Sequence, residues 1–128
     1  MIIKKRTIVT WNNNGEKVVL KFPYIAYAIA DPNSNNVAVI IMSKHLFPNN
    51  AFMYSPEGKV LFSLESGEST LFYYGFENSE KELRLTCIKQ KDKSTKIAIG
   101  FDFLSYAGES YTNIISSNGK IINSIRTR

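Results

Sequence analysis

Apolar and polar residues alternate with a period of two along several segments of the chain. The clearest example is the segment 96–103, whose apolar face carries Ile97, Ile99, Phe101 and Phe103. Segments 16–22 and 82–90 alternate in the same way. This period places successive side chains on opposite faces of a β-strand. In 82–90 it places Cys87 on the apolar face, so we expect the thiol to point into the core.

One apolar run does not alternate. Residues 37–42 read Val-Ala-Val-Ile-Ile-Met, with no polar side chain among them. A short run of this kind predicts a strand that is covered on both faces. It is also far shorter than the roughly 20 apolar residues that a membrane-spanning helix needs.

Clusters of Asn, Gly and Pro separate these segments at short intervals, and such residues favour the tight turns of β-hairpins. The pattern predicts ten or eleven strands, at 2–11, 16–22, 24–30, 36–42, 51–55, 59–64, 69–76, 82–90, 95–103, 111–116 and 120–126. Helix is nearly absent from this prediction. The sequence therefore predicts a single all-β domain over residues 1–128, built from antiparallel sheets.

Three of the predicted turns share a scheme of apolar residues, a polar turn, a glycine, a nearby lysine and a second apolar run. Their glycines are Gly15, Gly58 and Gly119. The segment 50–65 resembles the outer hairpin of a β-propeller repeat, whose period is about 40 to 45 residues. A chain of 128 residues holds too few such repeats to close a ring. The expected fold is therefore either a partial, propeller-like arrangement or a β-sandwich.

The inventory of reactive side chains is small. The chain has one histidine, His45, and one cysteine, Cys87. This excludes an internal disulfide, a Cys/His zinc cluster and a Cys-x-x-Cys redox pair. His45 falls in a predicted turn and is not accompanied by a Gly-x-Ser-x-Gly motif, and none of the glycines forms a phosphate-binding loop. We therefore predict that the protein is not an enzyme and that it uses no cofactor and no metal.

Charge is distributed unevenly around residues 65–96. Five glutamates and one lysine occupy 65–82, interleaved with aromatic residues. Aromatic side chains ringed by carboxylates are typical of a surface that binds a basic partner protein. The candidate partner-binding residues are Glu68, Tyr73, Tyr74, Glu77, Glu80 and Glu82. The alternative is that the aromatic residues all belong to the core and that the carboxylates only solvate turns.

A cluster of basic residues follows directly along the chain. Its members are Arg84, Lys89, Lys91, Lys93 and Lys96. With a net charge of +5, these residues are candidates for a nucleic-acid contact. No aromatic RNA-binding signature accompanies them, and lysines near a hairpin also prevent unwanted strand pairing.

A small all-β chain with many aromatic and asparagine residues, a polarised charge pattern and no catalytic set resembles the stand-alone bacterial immunity proteins. These proteins neutralise toxins in contact-dependent growth inhibition and related toxin–antitoxin systems. The resemblance implies an inhibitor that binds one cognate toxin, often a nuclease, in a one-to-one complex. Many such inhibitors are acidic, whereas this chain is basic, so either a local acidic patch docks or the toxin is acidic at the contact. A homodimer formed through exposed strand edges also stays open.

The first residues are basic, but no apolar stretch with a small-residue cleavage site follows them, as it would in a secretory signal. We therefore expect a cytoplasmic protein with no membrane partner. A single cysteine is compatible with a reducing compartment.

Overall fold

The computed structural model describes residues 4–43, 49–65, 71–89 and 109–127. Within these ranges the chain forms strands and turns without a helix, which confirms the predicted all-β class. The strands are β1 (Lys4–Asn13), β2 (Glu16–Ala30), β3 (Val37–Ile41), β4 (Ala51–Tyr54), β5 (Val60–Ser63), β6 (Leu71–Glu77), β7 (Leu83–Lys89), β8 (Glu109–Ile115) and β9 (Ile121–Arg126). The predicted strand at 95–103 lies outside the described residues.

The strands form two antiparallel sheets. Sheet 1 has the order β1-β2-β3-β4-β5, and sheet 2 has the order β6-β7-β8-β9. Neighbouring strands therefore follow one another along the chain, as short connections favour. The three predicted glycine turns join β1 to β2, β4 to β5 and β8 to β9, and their glycines have φ angles of 83°, 92° and 85°. Two antiparallel sheets are the element common to both predicted alternatives, the β-sandwich and the partial, propeller-like arrangement.

Strand β2 differs from the prediction, which divided it at Pro23 into two strands. In the structure it is one continuous strand with a bend. The bend lies where the register against β1 shifts: Arg6 pairs with Ala26, whereas Ile8 pairs with Lys21. Four residues of β2 thus lie opposite a single residue of β1. Extra residues of this kind bend a strand without ending it. The bend divides the β1–β2 hairpin into a proximal part, which contains the residues of β2 that pair with β3, and a distal part that ends at the turn containing Gly15.

Two apolar clusters lie on the opposite faces of sheet 1. Between the sheets, Ala38, Ile40 and Met53 of sheet 1 pack in one cluster with Leu85 and Cys87 of sheet 2. The burial of Cys87 confirms the expected inward direction of its thiol. Every residue of β3 is buried, as the unbroken apolar run predicted.

The second cluster lies under the distal hairpin. Val9 and Trp11 of β1 pack there with Val37, Val39 and Ile41 of β3, on the face that does not contact sheet 2. The bend in β2 therefore folds the hairpin over sheet 1. This position buries one face of the hairpin and leaves its other face outward.

Candidate protein-binding surfaces

Tyr73 is placed differently from its predicted role as an exposed anchor. It is fully buried, at 0% exposure, in the cluster between the sheets. Its backbone N–H donates to the Asn50 side-chain oxygen at 3.0 Å, and the Asn50 amide donates to the Tyr73 carbonyl at 2.7 Å. The phenol donates to the Glu65 carbonyl. Tyr73 is therefore removed from the candidate partner-binding residues, because its polar groups and its ring are all occupied within the chain.

Two further polar side chains extend this arrangement. The Asn113 amide donates to the Tyr73 hydroxyl at 3.1 Å, and the Ser124 hydroxyl donates to the Asn113 side-chain oxygen at 2.6 Å. Asn50 and Asn113 are both fully buried. We call Asn50, Tyr73, Asn113 and Ser124 the polar junction. It connects both sheets through satisfied hydrogen bonds, as buried polar groups require.

The two groups with strongly perturbed acidity both belong to the core. Burial raises the pKa of the Tyr73 phenol above its usual range. Burial likewise raises the pKa of the Cys87 thiol to about 12. Both shifts keep the group neutral at physiological pH, whereas an activated thiol needs a lowered pKa and exposure. Cys87 is therefore a packing residue.

The remaining acidic candidates cluster around the β6–β7 connection, and we call Glu77, Glu80 and Glu82 the acidic turn. The Thr112 hydroxyl donates to Glu77 at 2.7 Å, and the Arg84 guanidinium donates to Glu82 at 2.5 Å. Glu80 is exposed. Tyr74 is only half-buried and packs against the cluster between the sheets. The structure thus keeps an acidic turn, but internal partners already engage two of its carboxylates.

Several predicted residues lie outside the described ranges: Glu68, His45, Lys91, Lys93 and Lys96. Of the remaining basic candidates, Lys89 is the last residue of β7. Arg84 lies on the same strand and forms the ion pair with Glu82. The basic cluster therefore stays a prediction, and its first member is partly neutralised.

Large apolar side chains that the sequence patterns did not predict to be exposed lie on the edge strands β5 and β9. We call Val60, Leu61, Ile122 and Ile125 the strand-edge surface, and each is exposed. Leu61 and Ile122 are the extra residues of register shifts, so no residue of the neighbouring strand lies opposite them. The adjoining depression, of about 460 Å³, is lined by Asn49, Phe62, Ser63, Leu64, Glu65, Asn118, Gly119 and Lys120.

The outer edge of β9 is protected against pairing with another strand. The Ile121 N–H donates to a Glu65 carboxylate oxygen at 3.0 Å, and the Ser124 N–H donates to the Asn123 side chain at 2.9 Å. Bulges and occupied backbone donors both oppose edge-to-edge association. This arrangement disfavours a homodimer formed by pairing β9 with another strand.

The outward side of the distal hairpin is the second exposed apolar surface. Its cross-strand pairs are Ile8 with Lys21, Thr10 with Val19 and Asn12 with Lys17, and we call these six residues the hairpin face. Ile8 and Val19 are each 45% exposed. Both charged side chains on the hairpin face are lysines. The alternation of apolar and polar residues in segment 16–22 predicted which side chains share this face and which lie on the buried face.

Two contacts with the β4–β5 turn hold the buried side of the distal hairpin in place. The Trp11 indole N–H donates to the Pro56 carbonyl at 2.7 Å. A Cβ atom at Gly58 would lie 2.8 Å from the Val18 side chain, so only glycine allows this approach of the β4–β5 turn. The hairpin face is therefore held on a packed support.

The described fold defines an all-β protein of two antiparallel sheets with two exposed apolar surfaces. No family model matches the sequence, no curated protein shows a significant similarity, and no solved structure shows a significant match to the fold. Among the described residues, no group of three His, Cys, Asp or Glu side chains is arranged to hold a metal ion. The same residues include no helix that is long and apolar enough to span a membrane.

Proposed function

We propose that this protein acts by binding another protein, as an immunity-type inhibitor that neutralises one cognate bacterial toxin. The observation that carries the proposal is the placement of large apolar side chains on the outside of fixed strands, on the hairpin face and on the strand-edge surface. Neighbouring exposed apolar residues bordered by polar ones are typical of protein-binding sites, and the register makes Ile8 and Val19 neighbours of this kind. Inhibition then follows from covering the toxin rather than from chemistry of this chain.

The fixed support of the hairpin face favours an inhibitor. A surface that is already ordered loses little conformational entropy on binding, and this increases affinity. Trp11 and Gly58 order the hairpin in this way. We also propose that the inhibitor acts in the cytoplasm, where its buried and unpaired Cys87 would stay reduced.

The proposal is tested by co-expressing the chain with the protein encoded by the gene immediately upstream. We expect a one-to-one complex on size-exclusion chromatography with light scattering. We also expect the growth defect caused by that protein alone to disappear. Absence of a complex together with an unrelieved growth defect would reject the proposal.

The contribution of the acidic turn is tested within the same complex. If Glu80 contacts a basic toxin surface, Glu80→Lys should weaken the complex by about 2 kcal/mol, the scale of an interface hot spot. Glu57→Lys makes the same exchange at an exposed position of the β4–β5 turn and serves as the control. Equal affinity for both variants would restrict the interface to the other surfaces.

A further inference from the structure

We infer that the hairpin face is the docking surface for a carboxylate-bearing, partly apolar segment of a protein partner. This inference rests on the proposed function, because it assigns a surface and a partner chemistry to that binding activity. It departs from the expectation that the acidic candidates would carry the contact.

The arrangement of the hairpin face suits such a segment. Val19 pairs directly with Thr10, and Ile8 pairs with Lys21, so Ile8 and Val19 are diagonal neighbours across the two strands. Diagonal side chains lie about 7 to 8 Å apart, within reach of one another. The two lysines alternate with Val19 along β2 and flank it. A partner strand would match this spacing if it carried a carboxylate, an apolar side chain and a second carboxylate at alternate positions.

The charge of the β1–β2 hairpin is mainly positive, with five basic residues and one acidic residue, Glu16. Of the basic residues, Lys17 and Lys21 lie on the hairpin face, whereas residues 4–6 lie in the proximal part. Complementary charge at an interface increases the association rate and selects among partners. The hairpin therefore favours an acidic partner and repels a basic one.

The apolar centre favours a protein over a nucleic acid. Single-stranded nucleic acids gain affinity by stacking bases on aromatic side chains, and duplexes gain it mainly through phosphate contacts. Ile8 and Val19 are aliphatic, so neither base stacking nor phosphate contacts would cover them. Apolar side chains of a partner protein would remove both from water, which is favourable in proportion to the area covered.

The inference is tested with probes of defined chemistry on the full chain labelled with nitrogen-15. The first probe, called the glutamate–valine peptide, is an extended peptide of about eight residues with the core Glu-Ser-Val-Ser-Glu, so that its glutamates and its valine lie on one face. The others are the matching lysine–valine peptide and a DNA duplex of about 20 base pairs. We expect the glutamate–valine peptide to shift amide signals of residues 7–21 saturably, with a Kd at least about ten-fold below that of the lysine–valine peptide.

Matched variants then locate the contact. Lys17→Glu with Lys21→Glu should raise the Kd for the glutamate–valine peptide by about ten-fold or more, whereas Lys59→Glu with Lys120→Glu should change it by less than about two-fold.

Val19→Thr keeps the side-chain shape but removes a methyl group from the apolar centre, and it should raise the Kd by about three-fold. Val60→Thr, which makes the same change on the strand-edge surface, should leave the Kd unchanged. Native amide spectra verify that each variant is folded.

Three results would overturn the inference. They are a lack of saturable shifts, shifts that map to β5 or β9, and DNA that shifts the same amides at lower concentration than the peptide. The last result would indicate a nucleic-acid surface. Because these probes do not depend on the upstream gene product, a failure here is distinct from a failure to form the toxin complex.

Discussion

The polar junction and the hairpin face are built in opposite ways. In the polar junction, the amides of Asn50 and Asn113, a type of side chain that is ordinarily exposed, are buried, and hydrogen bonds satisfy them. On the hairpin face, aliphatic side chains that are ordinarily buried are open to solvent. The first arrangement is costly to disturb because each lost partner leaves a buried polar group. The exposed aliphatic side chains of the hairpin face contribute little to folding, so we interpret them as a surface that a partner can cover.

The largest effect is expected when the polar junction loses its central amide. Asn50→Ala removes three hydrogen bonds, to the Ile41 carbonyl and to both backbone groups of Tyr73. Two buried backbone groups then lack a partner, so we expect the free energy of unfolding to fall by about 3 to 5 kcal/mol. Urea denaturation measures this change. Asn49→Ala, at the exposed neighbouring position, should cost less than about 0.5 kcal/mol, and equal losses would contradict the role of Asn50.

A smaller loss is expected where the hairpin rests on its support. Trp11→Phe removes the indole N–H that donates to Pro56 and part of a ring that is 6% exposed. We expect the free energy of unfolding to fall by about 2 kcal/mol, from the lost hydrogen bond and the cavity together. Circular dichroism during urea denaturation measures it. Ile8→Val, on the outer face of the same strand, is the control, and a similar loss there would show that the hairpin face is not open.

Alkaline pH should weaken the cluster between the sheets, because it deprotonates a buried thiol. The folded pKa of Cys87 is raised to about 12 by burial, from an ordinary value of 9.0. The stability due to the neutral thiol is complete below pH 9.0 and is lost as the pH rises toward 12, because the unfolded chain releases its proton first. The loss is about 1.4 kcal/mol per pH unit.

Urea denaturation at a series of pH values, with Cys87→Ala as the comparison, isolates this thiol. The variant should be less stable at neutral pH but should lose less stability between pH 9 and about pH 10. Parallel pH profiles for the two chains would mean that the thiol is not buried.

The phenol of Tyr73 should contribute less than the Asn50 amide. Tyr73→Phe keeps the ring in the core but removes the hydroxyl that bonds the Glu65 carbonyl and the Asn113 amide. We expect a loss of about 1.5 kcal/mol, because the buried Asn113 amide loses its acceptor. Tyr24→Phe, at an exposed tyrosine, should be neutral in the same denaturation series. A loss as large as that of Asn50→Ala would make the phenol, and not the amide, the centre of the polar junction.

The hairpin face and the polar junction also differ in how well the sequence predicts them. Period-two alternation predicted the strands, and in segment 16–22 it also separated the buried face of the hairpin from the hairpin face. The polar junction was not predictable, because Asn50 belongs to a Pro-Asn-Asn sequence, which is typical of an exposed turn. Tyr73 was misplaced for a related reason. Alternation assigns side chains to two faces of a strand but does not say which faces a second sheet covers.

Bulges account for most of what was missed at the strand edges. A bulge changes which residues face inward beyond it. In β9 the extra residue Ile122 turns Ser124 toward Asn113 and leaves Ile125 exposed. Unbroken alternation from Ile121 would have placed Ile125 inside. No residue type in the segment marks this shift, so only the pairing with β8 reveals it.

The smallest effect is expected on the hairpin face itself. Val19→Thr replaces an aliphatic side chain with a polar one of the same shape at a position that is 45% exposed. Threonine suits a strand about as well as valine, and its hydroxyl can reach water there, so the free energy of unfolding should change by less than about 0.5 kcal/mol. Val39→Thr makes the same substitution in β3, at a fully buried position, and should cost at least about 1 kcal/mol because the hydroxyl would lose its water. If Val19→Thr destabilised the chain as much as Val39→Thr, the hairpin face would be part of the core, and it would have no apolar surface to offer a partner.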